Sequence, residues 1–442
     1  MKKLLLLTIT VILVMAAASF ATDTRVLTMG DNNNIMLDDA NIWLYPSRIG
    51  FHPDLAVAEF GYYLGGPILD TLVNYGPGEE MSRFGVNFKF GSDNPRVVGL
   101  YLHNNAPFDH MYSPLLPIAH GPIDFISRSN FSNKRIDLFY GQMFGENNIG
   151  LHFGLVNSSF EFDAESLLDN DSYTQFNIDL GGTFAGGKMD VAVGIEKFSF
   201  KNLDTHLDST VYKAYDTYKD EGNMGYYFRG RYFYEYNPSY AFVPHLAFMH
   251  GTYEAGYYTW KGNTFDTTEH YINELRFTRK YTVTDFDIGV GLHYTPATSV
   301  LAILDFGVRS NNVKREMDYD STYYSWDDYS YETQDKNFAM PYFKVGFEAD
   351  VFRWLDIRFG ATSYWNKYTY ESETTIDGET TSGKYHEKYP LNKTYLGLGF
   401  NWDRLHVDCY TDPELFLNGF DFISGGGEGS MNFQISAMYE MF

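Results

Sequence analysis

The chain has 442 residues, with 57 acidic against 33 basic side chains and a formal net charge of −24. Such an acid excess excludes a basic nucleic-acid interface, and a single cysteine, Cys409, excludes an intramolecular disulfide. Its 37 Tyr, 37 Phe and 40 Gly favour many strands with interfacial aromatics and close inner packing over a helical protein.

The N-terminus opens with Lys2 and Lys3, then a nearly unbroken apolar run from Leu4 to Ala18. Small residues at Ser19 and Ala21 complete the pattern of a secretory signal peptide, residues 1–21. The alternative is an uncleaved anchor, but the run is short of the roughly 20 apolar residues a spanning helix needs. Residues 22–53 are polar, Asn- and Asp-rich and without strand periodicity, and form a segment of their own.

From residue 54 to 442 the chain alternates apolar and polar residues in runs of about 10, the period-two signature of a strand facing lipid on one side and a polar lumen on the other. In Thr284–Tyr294, Phe286, Ile288, Val290 and Leu292 share one face, with Asp285, Asp287, Gly289 and Gly291 on the other. A helix would scatter those aspartates around its whole circumference. The same pattern recurs in Lys188–Ser199, Met224–Glu235, Pro341–Ala349, Trp354–Thr362 and Arg404–Tyr410. In the last run Cys409 falls on the outer face, which predicts a packing role.

Connections alternate in length. Short ones rich in Gly, Pro, Asn and Asp fall at Gly91–Pro95, Gly145–Asn148, Ala185–Gly187, Asn237–Ser239, Pro296–Thr298, Asp350–Arg353 and Trp402–Asp403. Long ones fall at 65–82, 104–133, 158–173, 200–222, 252–281, 311–337, 367–391 and 412–430, and the stretch 252–281 is long enough for a protruding hairpin. The prediction is an all-β transmembrane antiparallel up-and-down β-barrel of about 16 strands, within an even range of 14 to 18, with short periplasmic turns and long extracellular loops. A sandwich is usually nearer 100 residues, and a propeller would carry a repeated motif. Near the C-terminus Phe433, Ile435, Ala437, Tyr439 and Met441 alternate before the terminal Phe442. This resembles the last strand of bacterial outer-membrane barrels, which the barrel insertion machinery reads, although Phe442 lies one step out of register.

The stretch from Asp39-Ala40-Asn41 to Pro46-Ser47 resembles the N-terminal segment of long-chain fatty-acid transporter-like barrels and of the related type IX secretion barrels. Tyr45 stands where that pattern has Asn, and Ser47-Arg48 where it has Ala-Gly. The resemblance implies that residues 22–53 form a hatch or lumen-packed segment around Asp39, Ala40, Asn41 and Pro46. The alternative is a periplasmic lead-in beside the first strand.

No spacing of Ser, His and carboxylates marks a catalytic site, and no metal or cofactor is called for. The informative feature is the charged inner face. Arg229, Arg231, Glu235, Asp285, Asp287 and Asp305 point inward by strand parity. So do Arg309, Lys344, Glu348, Asp356, Arg358, His406 and Asp408. Unpaired charges in a dry core cost several kcal/mol each, so the main expectation is a hydrated, porin-like channel for passive diffusion of small solutes, with these residues lining it. One alternative is a hatch-plugged conduit for hydrophobic compounds; another is a non-conducting scaffold, adhesin or secretion-associated barrel. The expected surroundings are outer-membrane lipid and lipopolysaccharide, and the sequence admits a homo-oligomer. The acidic, aromatic stretch Met317–Asp335 has the composition of a sugar or calcium site, or simply of a solvated loop beside lipopolysaccharide.

Overall fold

The computed structural model describes residues 23–63, 79–92, 94–104, 134–164, 167–208, 212–220, 223–263, 273–321, 329–376, 378–411 and 433–441. Residues 1–21, expected as a leader, the terminal Phe442, the stretch 412–430 and most of 65–82 and 104–133 lie outside them.

Among the described residues, sixteen antiparallel strands close into one barrel. On one side the wall is built by β1 (Leu55–Tyr63), β2 (Glu79–Phe90), β3 (Arg96–Asn104) and β4 (Lys134–Phe144). It continues through β5 (Asn147–Ala164), β6 (Leu167–Phe184) and β7 (Met189–Asp208). Strand β8 is interrupted into Tyr212–Asp220, Met224–Tyr232 and Tyr234–Asn237; the first two pieces bridge the same two neighbours, so it counts once. Then follow β9 (Tyr240–Asn263), β10 (Asn273–Ala297), β11 (Val300–Ser321) and β12 (Tyr329–Phe352). The last four are β13 (Leu355–Ile376), β14 (Glu379–Trp402), β15 (Leu405–Thr411) and β16 (Phe433–Glu440). Pairing of Leu55 with Glu440 and of Phe60 with Ile435 closes the cylinder.

The alternation decides which way the wall faces. Phe84, Leu138, Leu151, Ile178, Val193, Ile288, Phe359 and Leu398 are exposed on the outside, whereas Asp137, Asp179, Asp190, Asp305 and Arg358 on the opposite parity are buried. Apolar outside and charged inside inverts a water-soluble protein, and only lipid makes that arrangement favourable. The molecule is therefore an outer-membrane-type barrel. The seven short connections predicted from Gly, Pro, Asn and Asp all lie at or beside periplasmic turns. The one between β6 and β7 has Ala185, Gly186 and Gly187 in succession at positive φ.

The wall is uneven. Strands β15 to β4 run 7 to 12 residues, whereas β9 to β14 run 22 to 25. About 9–11 residues cross the bilayer core, so the tall side projects outward as a curved crown. Much of the stretches 158–173, 200–222, 252–281, 311–337 and 367–391, expected as loops, is paired strand: Tyr329 still pairs with Ile376, and Ile376 with Glu379. Above the membrane nothing requires an apolar outer face, so the ladder continues after its sequence signature has ended.

Candidate functional site

Residues 23–53 do not join the wall. They form a short helix, α1 (Asp23–Thr28), and two 3-10 turns, Asp39–Trp43 and Pro46–Phe51. Asp38 caps the first turn: its carboxylate accepts from Ala40 N at 3.1 Å, and Asn41 Oδ1 accepts from Asp38 N at 3.0 Å. Asn41 Nδ2 also donates to Asn33 Oδ1 at 2.5 Å, which folds the segment back on itself. Ala40, Asn41 and Pro46 are buried inside the barrel. Burial and the adjacent Asp38 push the Asp39 carboxyl well above the usual carboxylate range.

Two arginine centres clamp this segment near the periplasmic turns. At the first, the fully buried Asp190 of β7 accepts from Arg48 Nε at 2.8 Å and Nη2 at 2.7 Å, from Arg231 Nε at 2.7 Å and from Thr183 Oγ1 at 2.8 Å. Arg231 of β8 then donates to the carbonyls of Asn33 and Met36 at 3.1 and 2.6 Å and to Asn41 Oδ1 at 2.7 Å. Its guanidinium lies 4.5 Å from the centre of the Tyr45 ring. At the second, Arg25 grips Glu348 of β12 through two 2.8 Å bonds and Asp38 through one of 2.5 Å. Arg358 of β13 holds Glu348, Asp408 of β15 and Asp356. Between the clamps, Lys344 Nζ donates to Asp31 O at 2.7 Å and His293 Nε2 to Ile35 O at 2.8 Å.

The wall is carved to receive the segment. A Cβ on Gly150 would lie 2.3 Å from the Pro46 carbonyl carbon, one on Gly360 2.1 Å from Gly30 N, and one on Gly397 2.2 Å from Thr28 Cγ2. At Gly150 and Gly360 a side chain would displace backbone, not a flexible tip. Gly150→Val and Gly360→Val are therefore expected to loosen residues 23–53 while leaving the barrel closed. Limited proteolysis should then cut within 23–53 at least several times faster, with heat-modifiable mobility unchanged.

The segment is also packed against the wall through Trp43, which is buried. Its ring meets Tyr101 and Phe139 edge-on, with centroids 5.2 and 5.0 Å away. Phe139 stacks at 4.1 Å on His152. The two ring nitrogens of His152 lie 2.6 Å from Asp179 and 2.8 Å from Asp137. Across the lumen the crown lines its inner face with tyrosines. Tyr342 donates to Asp287 at 2.9 Å, the hydroxyls of Tyr331 and Tyr370 are 2.9 Å apart, and the Tyr342 and Tyr364 rings tilt together at 5.8 Å.

The inner-face residues read from sequence fall into three groups. Arg231, Lys344, Glu348, Asp356, Arg358 and Asp408 belong to the clamped region just described. Asp285 accepts from Arg309 at 2.8 Å, Asp305 binds His245 at 2.9 Å, and Asp287 receives Tyr342, all within the wall. Arg229 lies over Tyr227, with 4.7 Å from its guanidinium carbon to the ring centroid, and His406 Nδ1 is 2.6 Å from Asn401 Oδ1. Glu235 is exposed at the periplasmic mouth beside Lys188, 2.9 Å away. The open, water-filled channel expected for these charges is corrected on the periplasmic side: the charges there are neutralised by one another and by packed backbone. Arg25, Arg48, Asp190 and Trp43 are central to this arrangement and were missed in the sequence. The first two are lone arginines in a stretch without period; Asp190 stood on the inner parity of its run and gave no further signal.

No protein-family model matches the chain, and no curated protein matches it either. Among solved structures it is similar to the toluene transporter TodX of Pseudomonas putida, at 8% identity over 95% of this chain and 98% of that one, with a TM-score of 0.36. It is also similar to the siderophore receptor PirA of Acinetobacter baumannii (9% identity, 87% and 80% covered, TM-score 0.32) and to a ferric enterobactin receptor mutant of Pseudomonas aeruginosa (9%, 87% and 81%, 0.31). The assignment to the outer membrane rests on the closed sixteen-strand wall and its apolar outer belt, not on these likenesses.

Proposed function

We propose that the chain is an outer-membrane conduit for hydrophobic compounds, closed at its periplasmic end by a movable hatch formed by residues 23–52. The observation that carries this is the double clamp: Arg25 and Arg48, both on the segment, reach carboxylates on separate strands of the wall, Glu348 of β12 and Asp190 of β7, and hold it inside the lumen. A porin-like passage has no use for such a closure. The half-buried tyrosines on the inner face of the crown, Tyr331, Tyr364 and Tyr370, suit compounds with flat apolar faces and a polar edge, because aromatic rings stack while hydroxyls bond. The resemblance of Asp39–Pro46 to fatty-acid transporter-like barrels supports the same reading. In this scheme a compound enters beside the crown, packs on the tyrosines and passes when the hatch yields.

The test is single-channel conductance of residues 22–442 in planar bilayers, beside a variant lacking 23–52 whose folding is verified by heat-modifiable mobility. The intact protein is expected to be silent and the deletion to give steady steps. Transfer of an apolar fluorophore into vesicles should occur with the intact protein and not with protein-free vesicles. Steady current from the intact chain would restore the porin reading. Silence of both forms with no transfer would leave a sealed scaffold, the second reading, which the dense ion pairing favours.

A further inference from the structure

The outer face of the crown carries charges that a conduit does not need. Along β13 the outward residues are Ile357, Phe359, Ala361, Ser363 and Trp365, the last 61% exposed. On β12 the apolar belt ends at Phe338 and the exposed Met340. The next outward residue on β13 is Lys367, and directly across the ladder stands Lys388 of β14, also outward and exposed. Lys367 is thus one outward step beyond Trp365 and in register with Phe338, at the end of the apolar belt where lipid tails give way to headgroups, and Lys388 stands beside it, with Pro390, Asn392 and Thr394 between it and Leu396 of β14.

Two like charges directly opposite on an antiparallel pair repel, an arrangement that costs stability. Among the described residues neither lysine forms an ion pair. Their neighbour Glu371 is already taken, by Lys336 at 2.8 Å and by Lys384. His386, one outward step above Lys388, is hydrogen-bonded to Thr369, with Nδ1 and Oγ1 3.0 Å apart. The wall thus holds an uncompensated double positive charge at headgroup height, above an exposed tryptophan. A basic pair at that depth attracts a lipid anion, by about 1 kcal/mol per lysine in general.

We propose that Lys367 and Lys388 bind the phosphate of an anionic glycolipid of the outer leaflet, whose acyl chains lie against Trp365, Phe338 and Met340. The site depends on the barrel's orientation in the outer membrane and not on the conduit reading, so either stands if the other falls.

The test uses the purified full-length mature protein in detergent, titrated with bisphosphorylated lipid A and followed by native mass spectrometry. The K367Q/K388Q variant is expected to bind about 30-fold more weakly. K367E supplies the control for folding: it exchanges the repulsion for a cross-strand attraction, so its urea midpoint should hold or rise while lipid retention falls. Dephosphorylated lipid A should bind wild type and variants alike. Equal retention by wild type and K367Q/K388Q, or full retention of the dephosphorylated lipid by wild type, would overturn the proposal. Displacement of lipid A by millimolar inorganic phosphate would also overturn it, by making the pair a site for a free anion.

Discussion

Asp190→Ala is expected to open the periplasmic end of the barrel and to cost about 3–5 kcal/mol, the usual penalty for removing one partner of a buried ion pair. Asp190 is fully buried and serves two guanidiniums at once, those of Arg48 and Arg231. Without it, two cations face each other where water has been excluded. Arg231 is fixed in the wall, so relief comes from the side that can move: Arg48 leaves with residues 46–51, and Trp43 loses its seat below Phe139. Conductance steps should appear in planar bilayers, and the urea midpoint should fall. Asp190→Asn keeps the hydrogen-bond acceptor without its charge and should give a smaller change in the same direction. A silent Asp190→Ala with an unchanged midpoint would mean that shape, above all the glycine beds at Gly150 and Gly360, holds the segment without help from charge.

The wall was legible because lipid enforces strict alternation. In Thr284–Tyr294 the outer face must be apolar at every second residue, and this leaves a period no soluble loop would keep. The upper halves of β9 to β14 lack that constraint, since both faces meet polar surroundings, and so they read as loops although Tyr329 and Ile376 remain paired. Parity also placed Asp305, Lys344 and Arg358 inward. It could not say what each charge would meet, because the partners are remote: 323 residues separate Arg25 from Glu348, and 142 separate Arg48 from Asp190. With the partners hidden, a set of inward charges is equally consistent with a hydrated pore and with a clamped segment. One local signal was available: Asp38 followed three residues later by Asn41 is a helix-capping spacing, and in the structure both halves of that box are made. It marks an ordered turn in a stretch that otherwise reads as linker.

The second clamp behaves differently, because its two arginines belong to different bodies. Arg358 is part of the wall and ties Glu348, Asp356 and Asp408 on three strands; Arg25 is part of the hatch and shares Glu348 with it. Arg358→Met is expected to leave three carboxylates, Asp356 buried and Glu348 and Asp408 largely so, with one partially exposed cation among them, and to lower the barrel's own stability by about 3–5 kcal/mol. Arg25→Ala should cost less, because Glu348 keeps Arg358, and its effect should appear as faster proteolysis of 23–53 and as conductance, with little change in the urea midpoint. If the hatch moves during transport, this asymmetry is what the wall requires: the departing cation is the one whose loss leaves every strand carboxylate beside another positive charge. A double-mutant cycle measures it, with a coupling of about 0.5–3 kcal/mol expected between two residues that share a partner. The opposite pattern, in which Arg25→Ala lowers the urea midpoint as far as Arg358→Met does, would make the segment an integral part of the barrel's stability and would argue against a hatch that opens.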